Sequence, residues 1–129
     1  MAVYSLLITH SPFEITKTVA AQAFASELIA QGQTLKNIFF YGEGTHHANA
    51  LVQLPSDEYQ WHHRWQRIQT MAQCSLLVCV TAAVKRGLLS EIEANEAGID
   101  MATITSPFEQ AGLGEFFTQL HKCDQLVQF

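Results

Sequence analysis

Three cysteines and six histidines are the side chains of widest chemical reach in this 129-residue sequence. Cys79 holds the most suggestive place. It falls at the carboxyl end of the continuous apolar run Ser75–Val80 (SLLVCV), the pattern of a strand buried on both faces of a parallel sheet. Helical sequence resumes one or two residues later. A thiol at such a junction meets the positive end of a helix macrodipole and unpaired backbone N–H groups, both of which favour thiolate. Lys85 and Arg86 add positive charge one turn further on. The position suits equally a cysteine that only packs as a small hydrophobe, and spacing leaves both readings open. Cys74, which closes a helix or opens a strand, and Cys123, which precedes the last strand, read as structural.

The other candidates carry weaker signals. His46 and His47 lie in a strand-end loop, where they could act as acid or base or steer a thiolate. His62 and His63 are adjacent in a helix, face different directions and make a poor metal pair. With no HExxH or C-x-x-C among the histidines and cysteines (His10 and His121 included), no structural zinc site is expected. Ser11 and Ser106 have no GxSxG setting. No GxGxxG or GxxxxGK[ST] follows a strand, and Gly42-Glu43-Gly44 places an acid where a phosphate would sit. Nucleotide binding is therefore disfavoured, and no cofactor is implied. Trp61 and Trp65, at i and i+4, read as a core or interface stripe.

These residues need a scaffold, and the chain supplies one. At 48% hydrophobic, with 7 Gly and 3 Pro, it is a single domain over residues 1–129 with a real core. Strands are expected at Val3–Thr9, Leu35–Tyr41, Ser75–Val80, Met101–Thr105 and Leu126–Phe129. Helices are expected at Thr16–Ala30, with apolar positions Val19, Ala20, Ala23, Phe24, Leu28 and Ile29, and from Glu58 to about Gln73, capped by Ser56 or Asp57. Further helical sequence covers Ala82–Gly87, Ser90–Ala97 and Leu113–Lys122, while Thr45–Asp57 reads as irregular. Strands alternating with helices give an α/β fold, a three-layer α/β/α sandwich on a five-stranded, mainly parallel sheet. In such sheets the site lies beyond the carboxyl ends of the strands. That directs attention to His10–Ile15, Gly42–Pro55, Cys79–Ala83 and Thr103–Gly112.

Seven Lys and Arg against twelve Asp and Glu leave a formal charge of −5, which argues against a nucleic-acid surface. The 15% charged fraction is below the roughly 25% usual in soluble domains, a hint that partner subunits cover some surface. No apolar run approaches the roughly 18–20 residues that span a bilayer. Met1–Thr9 has no basic region or cleavage site of a signal peptide, so a cytoplasmic protein with reduced thiols is expected.

Val78–Gly87 (VCVTAAVKRG) resembles the V-C-V-A-A-A-x-R-R-G segment of the DsrE/TusD sulfur-relay family, nearest its TusD members. Phe39–Gly44 (FFYGEG) is similar to the family's FFY-x-[DE]-G segment, with Ala48-Asn49 close behind. Ser90–Ala94 matches the acidic stretch after the Arg-Arg-Gly turn, and Gly112-Leu113-Gly114 and Cys123–Phe129 match the GLG and C-D-R-V-V-Q-F segments. The resemblance implies a sulfurtransferase in which Cys79 carries sulfane sulfur as a persulfide; Lys85 and Arg86, by their proximity in sequence, and Thr81 are the candidate supporting residues. It further implies a TusA-like donor, a TusE-like acceptor, and TusB-like and TusC-like sister subunits in a heterohexamer serving 2-thiolation of a tRNA wobble uridine. Strand order 4-3-2-1-5 is implied too, with the Gly42–Asn49 loop beside Cys79. A DsrE-type role in dissimilatory sulfur oxidation, a non-catalytic structural subunit and a small-molecule-binding flavodoxin-like domain are the alternatives. Departures are Thr81 for the usual Ala, Lys85 for Arg, His47 where Asn is common, and Ser11-Pro12-Phe13 for Gly-Pro-Tyr. Lys85 keeps the charge but not the bidentate fork of a guanidinium.

Overall fold

The computed structural model describes residues 1–129. Five strands, β1 (Val3–Ile8), β2 (Thr34–Phe40), β3 (Ser75–Cys79), β4 (Phe108–Ala111) and β5 (Gln125–Gln128), form one sheet in the order β4-β3-β2-β1-β5. Every neighbouring pair is parallel. The helices are α1 (Ile15–Ala30), α2 (Trp61–Ala72), α3 (Val80–Val84), α4 (Glu91–Glu96) and α5 (Leu113–Leu120), with a 3₁₀ segment at Gly42–Ala48.

Side chains alternate along each strand, so the sheet has two distinct faces. Leu6, Ile8, Ile38, Phe40, Leu76 and Val78 point to one of them. With α1 and α2 they build a core of 18 buried residues that includes Trp65 and Ile68. The opposite face, covered by α5, has an apolar core of only six buried residues: Phe39, Leu77, Cys79, Ala82, Ala111 and Phe116. Both faces of β3 are apolar for this reason, and its apolar run is continuous.

Several expectations are corrected. The fourth strand is Phe108–Ala111, not Met101–Thr105. The backbone of the earlier segment is spent on loop ties: Thr103 and Ile104 N–H donate to the Leu89 carbonyl, and Ala50 N–H donates to that of Thr103. Helix α2 starts at Trp61 rather than Glu58, and neither Ser56 nor Asp57 caps it; its N-cap is Gln60, with no side-chain cap bond. The buried stripe of α1 is Thr18, Ala21, Gln22, Ala25 and Leu28, while Val19 is exposed. Two polar residues can occupy that stripe because their hydrogen bonds are made internally. Thr18 Oγ1 donates to the Pro12 carbonyl at 3.0 Å, and Gln22 bridges the Trp61 carbonyl and the Tyr59 hydroxyl.

Candidate functional site

Strand β3 delivers Cys79 to the carboxyl edge of the sheet, and α3 begins at the next residue. The thiol belongs to the thinner core, packed with Phe39, Ala82 and Phe116, and the residue is 4% exposed. It is not sealed. Cys79 lines a cavity of about 430 Å³ together with Tyr41, Gly42, Thr81, Ala82, Lys85, Arg86 and Leu113. Helix α3 has five residues, so what faces the thiol is one turn of first-turn N–H groups.

Sequence order does not show how the two cations beside the thiol differ. Arg86 is pinned. Its Nε donates to Glu43 Oε2 at 2.5 Å and its Nη1 to the Ala82 carbonyl at 2.9 Å, tying α3 to the 3₁₀ segment. The hydrogen bond from Arg86 holds the Glu43 carboxyl below the usual carboxylate range. Lys85 is exposed and makes no ion pair, which leaves it the free cation of the cavity wall. Glu43 was missed in the sequence because its partner stands 43 residues away; the signal was an acid in the loop after β2, which the strand order sets beside the end of β3.

Backbone geometry brings that loop in. Tyr41 N–H donates to the Ile8 carbonyl, Gly44 N–H donates to the Tyr41 carbonyl, and a Cβ on Gly44 would stand 2.0 Å from the Ile8 carbonyl oxygen. Only glycine lets the segment lie this close to β1.

The histidine expectation fails for His47. Its side chain is fully buried on the other side of the sheet, among Phe40, Trp61 and Trp65. Trp65 Nε1 donates to its Nδ1 at 2.9 Å, so Nε2 carries the proton toward the His10 carbonyl at 3.1 Å. Burial, with His10 alongside, pushes the imidazole down to about 3. It is a neutral structural link that touches nothing in the cavity. His46 Nε2 lies 3.7 Å from Glu43 at the loop surface. Trp61 and Trp65 are core residues. His62 and His63 diverge, the first against Phe108 and the second bonded to Gln66.

The other two thiols sit elsewhere. Cys74 is in the larger core, and burial pushes it up to about 11. Cys123 lies at the amino-terminal end of the strands, its Sγ 2.9 Å from Ser5 Oγ. Cys79, Thr81, Lys85 and Arg86, the four residues singled out in the sequence, therefore line one cavity.

The DsrE/DsrF-like family matches residues 2–129. The chain belongs to that family. Sulfurtransferase TusD of Salmonella newport (strain SL254) is 35% identical over 126 residues, covering 98% of both chains. Its counterpart in Salmonella heidelberg (strain SL476) is 34% identical over the same share. The crystal structure of the YchN protein from E. coli superposes over 100% of both chains with a TM-score of 0.71 at 16% identity, which shows the shared fold. Full-length likeness to curated sulfurtransferases within the family supports sulfurtransferase chemistry and a role in sulfur relay. No helix is long and apolar enough to cross a membrane.

Proposed function

We propose that the protein is a sulfurtransferase subunit of a sulfur relay and that Cys79 is its sulfur carrier. The observation that carries this reading is the placement of Cys79 on a cavity that also holds Lys85 and Arg86, while Cys74 is packed into the opposite core. The Cys79 thiolate attacks the outer sulfur of a donor persulfide R–S–SH. A Cys79 S–S bond forms, the donor's S–S bond breaks, and R–S⁻ leaves with the electron pair and takes up the proton of the transferred sulfur. The step exchanges one sulfane sulfur with no net oxidation, and the reverse attack by an acceptor thiolate discharges Cys79. Lys85 stabilises the anionic persulfide, Arg86 holds the cavity wall to the 3₁₀ segment, and the Thr81 hydroxyl lines the entrance.

In the finer reading, the donor is a TusA-like persulfide protein and the acceptor TusE-like. Sister subunits of the TusB and TusC kind complete a heterohexamer, and the sulfur ends on the wobble uridine of certain tRNAs in the cytoplasm. The full-length likeness to TusD proteins supports this reading. The test is sulfur loading from a persulfide donor in cysteine variants. Cys79→Ser abolishes loading, and Cys74→Ser and Cys123→Ser retain it. Loading that survives in the Cys79 variant contradicts the assignment.

A further inference from the structure

The eight residues lining the Cys79 cavity include two of the chain's seven cations and none of its twelve carboxylates, in a protein of net charge −5. Arg86 is already spent on Glu43 and the Ala82 carbonyl, whereas Lys85 is exposed and makes no ion pair. Thr81 is exposed as well, which leaves its hydroxyl open to a ligand. The rest of the lining is of another kind. Tyr41, 40% exposed, stacks on Phe39, which stacks in turn on Phe116, and Leu113 is 38% exposed. The Tyr41 N–H is tied to Ile8 and its carbonyl to Gly44, so the ring is held in place. Apolar walls with a few polar groups and one unspent charge are the make-up of a small-molecule site.

Access sets the size of what reacts there. Cys79 is 4% exposed, so a reagent must enter the cavity to meet its thiol, and a flat protein surface cannot. The volume of about 430 Å³ falls within the roughly 300–1,000 Å³ of small-molecule pockets. The lining sets the charge, because an unpaired ammonium with no acid beside it favours an anion. A cysteine within a polypeptide has its carboxyl bound up as an amide and brings no such anion. A free amino-acid or short-peptide thiol keeps its carboxylates within a few bonds of the sulfur.

We infer that the cavity takes a low-molecular-weight persulfide of the carboxylate-bearing amino-acid or peptide-thiol class, which loads Cys79 directly, with Lys85 pairing the carboxylate. This rests on the relay reading of Cys79. The Cys79 thiolate attacks the outer sulfur, a new S–S bond forms, and the donor's S–S bond breaks. The free thiol leaves with the electron pair and the proton, so the exchange needs no oxidant or reductant. The probes are glutathione persulfide and the persulfide of glutathione diethyl ester, which keeps the reacting group and loses the carboxylates. Peptide mapping of the full chain reads the sulfur added to Cys79. Loading by the acid is expected to be about fivefold faster than by the ester at low salt, a preference that fades at high salt. Lys85→Gln slows both donors and removes the preference, and Lys85→Arg retains it. S-methylglutathione, which cannot transfer sulfur, is expected to protect Cys79 saturably against iodoacetamide. Equal loading by acid and ester, an unchanged preference in Lys85→Gln, or no protection by S-methylglutathione overturns the inference, and the relay reading stands wherever Cys79 still loads. Protection without loading from either persulfide supports the ligand site and contradicts the relay reading instead.

Discussion

Cys74 and Cys79 bracket the same strand and are almost equally hidden, at 3% and 4% exposure, yet their surroundings are opposite. Cys74 is part of the thick core under α1 and α2, where burial raises its thiol to about 11. Cys79 faces the thin side under α5 and lines an open cavity with Lys85 and Arg86. Fractional exposure does not separate them. What separates them is which face each thiol serves: one face is filled to stabilise the fold, and the other is left incomplete at the carboxyl edge, where a reaction can take place. His47 teaches the same lesson, since an imidazole in a strand-end loop would be a chemical group on the thin side but is a neutral strut on the thick one.

The contrast can be attacked first through stability. Trp65→Ala empties the centre of the thick core and leaves His47 Nδ1 without its donor. Urea unfolding is expected to show a loss of about 3–5 kcal/mol. A loss below about 1 kcal/mol would mean that this core does not carry the fold.

The second approach is pH. His47 is held neutral in the fold, at about 3, and returns to its ordinary 6.5 on unfolding, so below 6.5 the unfolded chain binds the extra proton. The stability this group contributes is fully present above 6.5 and is lost as pH falls toward 3, by about 1.4 kcal/mol per unit. Between pH 7.5 and 5, urea titrations should record a loss of about 2 kcal/mol, and buried His10 and half-buried His62, both shifted down by burial, act in the same direction. His47→Gln starts less stable and shows a flatter profile. A wild-type profile that is flat over this range would remove His47 from the account.

The smallest effect separates the two cations. Lys85→Gln should lower the ratio of Cys79 alkylation by anionic iodoacetate to that by neutral iodoacetamide about threefold. Arg86→Gln should move it less, because Glu43 already balances that guanidinium. Equal responses would mean that both charges act on the thiol alike.

Much of this was legible in the sequence. The apolar run Ser75–Val80 identified a doubly covered strand with a thiol at its carboxyl end, though the strand stops at Cys79, and alternation of strands and helices indicated the parallel sheet. Local patterns failed where long-range partners decide. Thr18 and Gln22 are buried because His10, Pro12, Tyr59 and Trp61 satisfy them, so hydropathy alone misplaces the α1 stripe. The fourth strand is short and carries Glu109 and Gln110, leaving little apolar signal against Met101–Thr105. The Glu43–Arg86 contact and the placing of His47 on the filled face depend on which loops the strand order brings together, and no residue spacing reports that.

The most direct measurement is competitive alkylation of the folded, reduced protein at neutral pH, read by peptide mapping at both ends of β3. A shift of Cys74 from 9.0 to about 11 makes its thiolate about a hundredfold scarcer than in an ordinary cysteine. Rapid modification is expected at Cys79, while Cys74 stays unlabelled until the chain is unfolded. Labelling of Cys74 at a rate equal to or above that of Cys79, or a Cys79 that reacts only on unfolding, would contradict it.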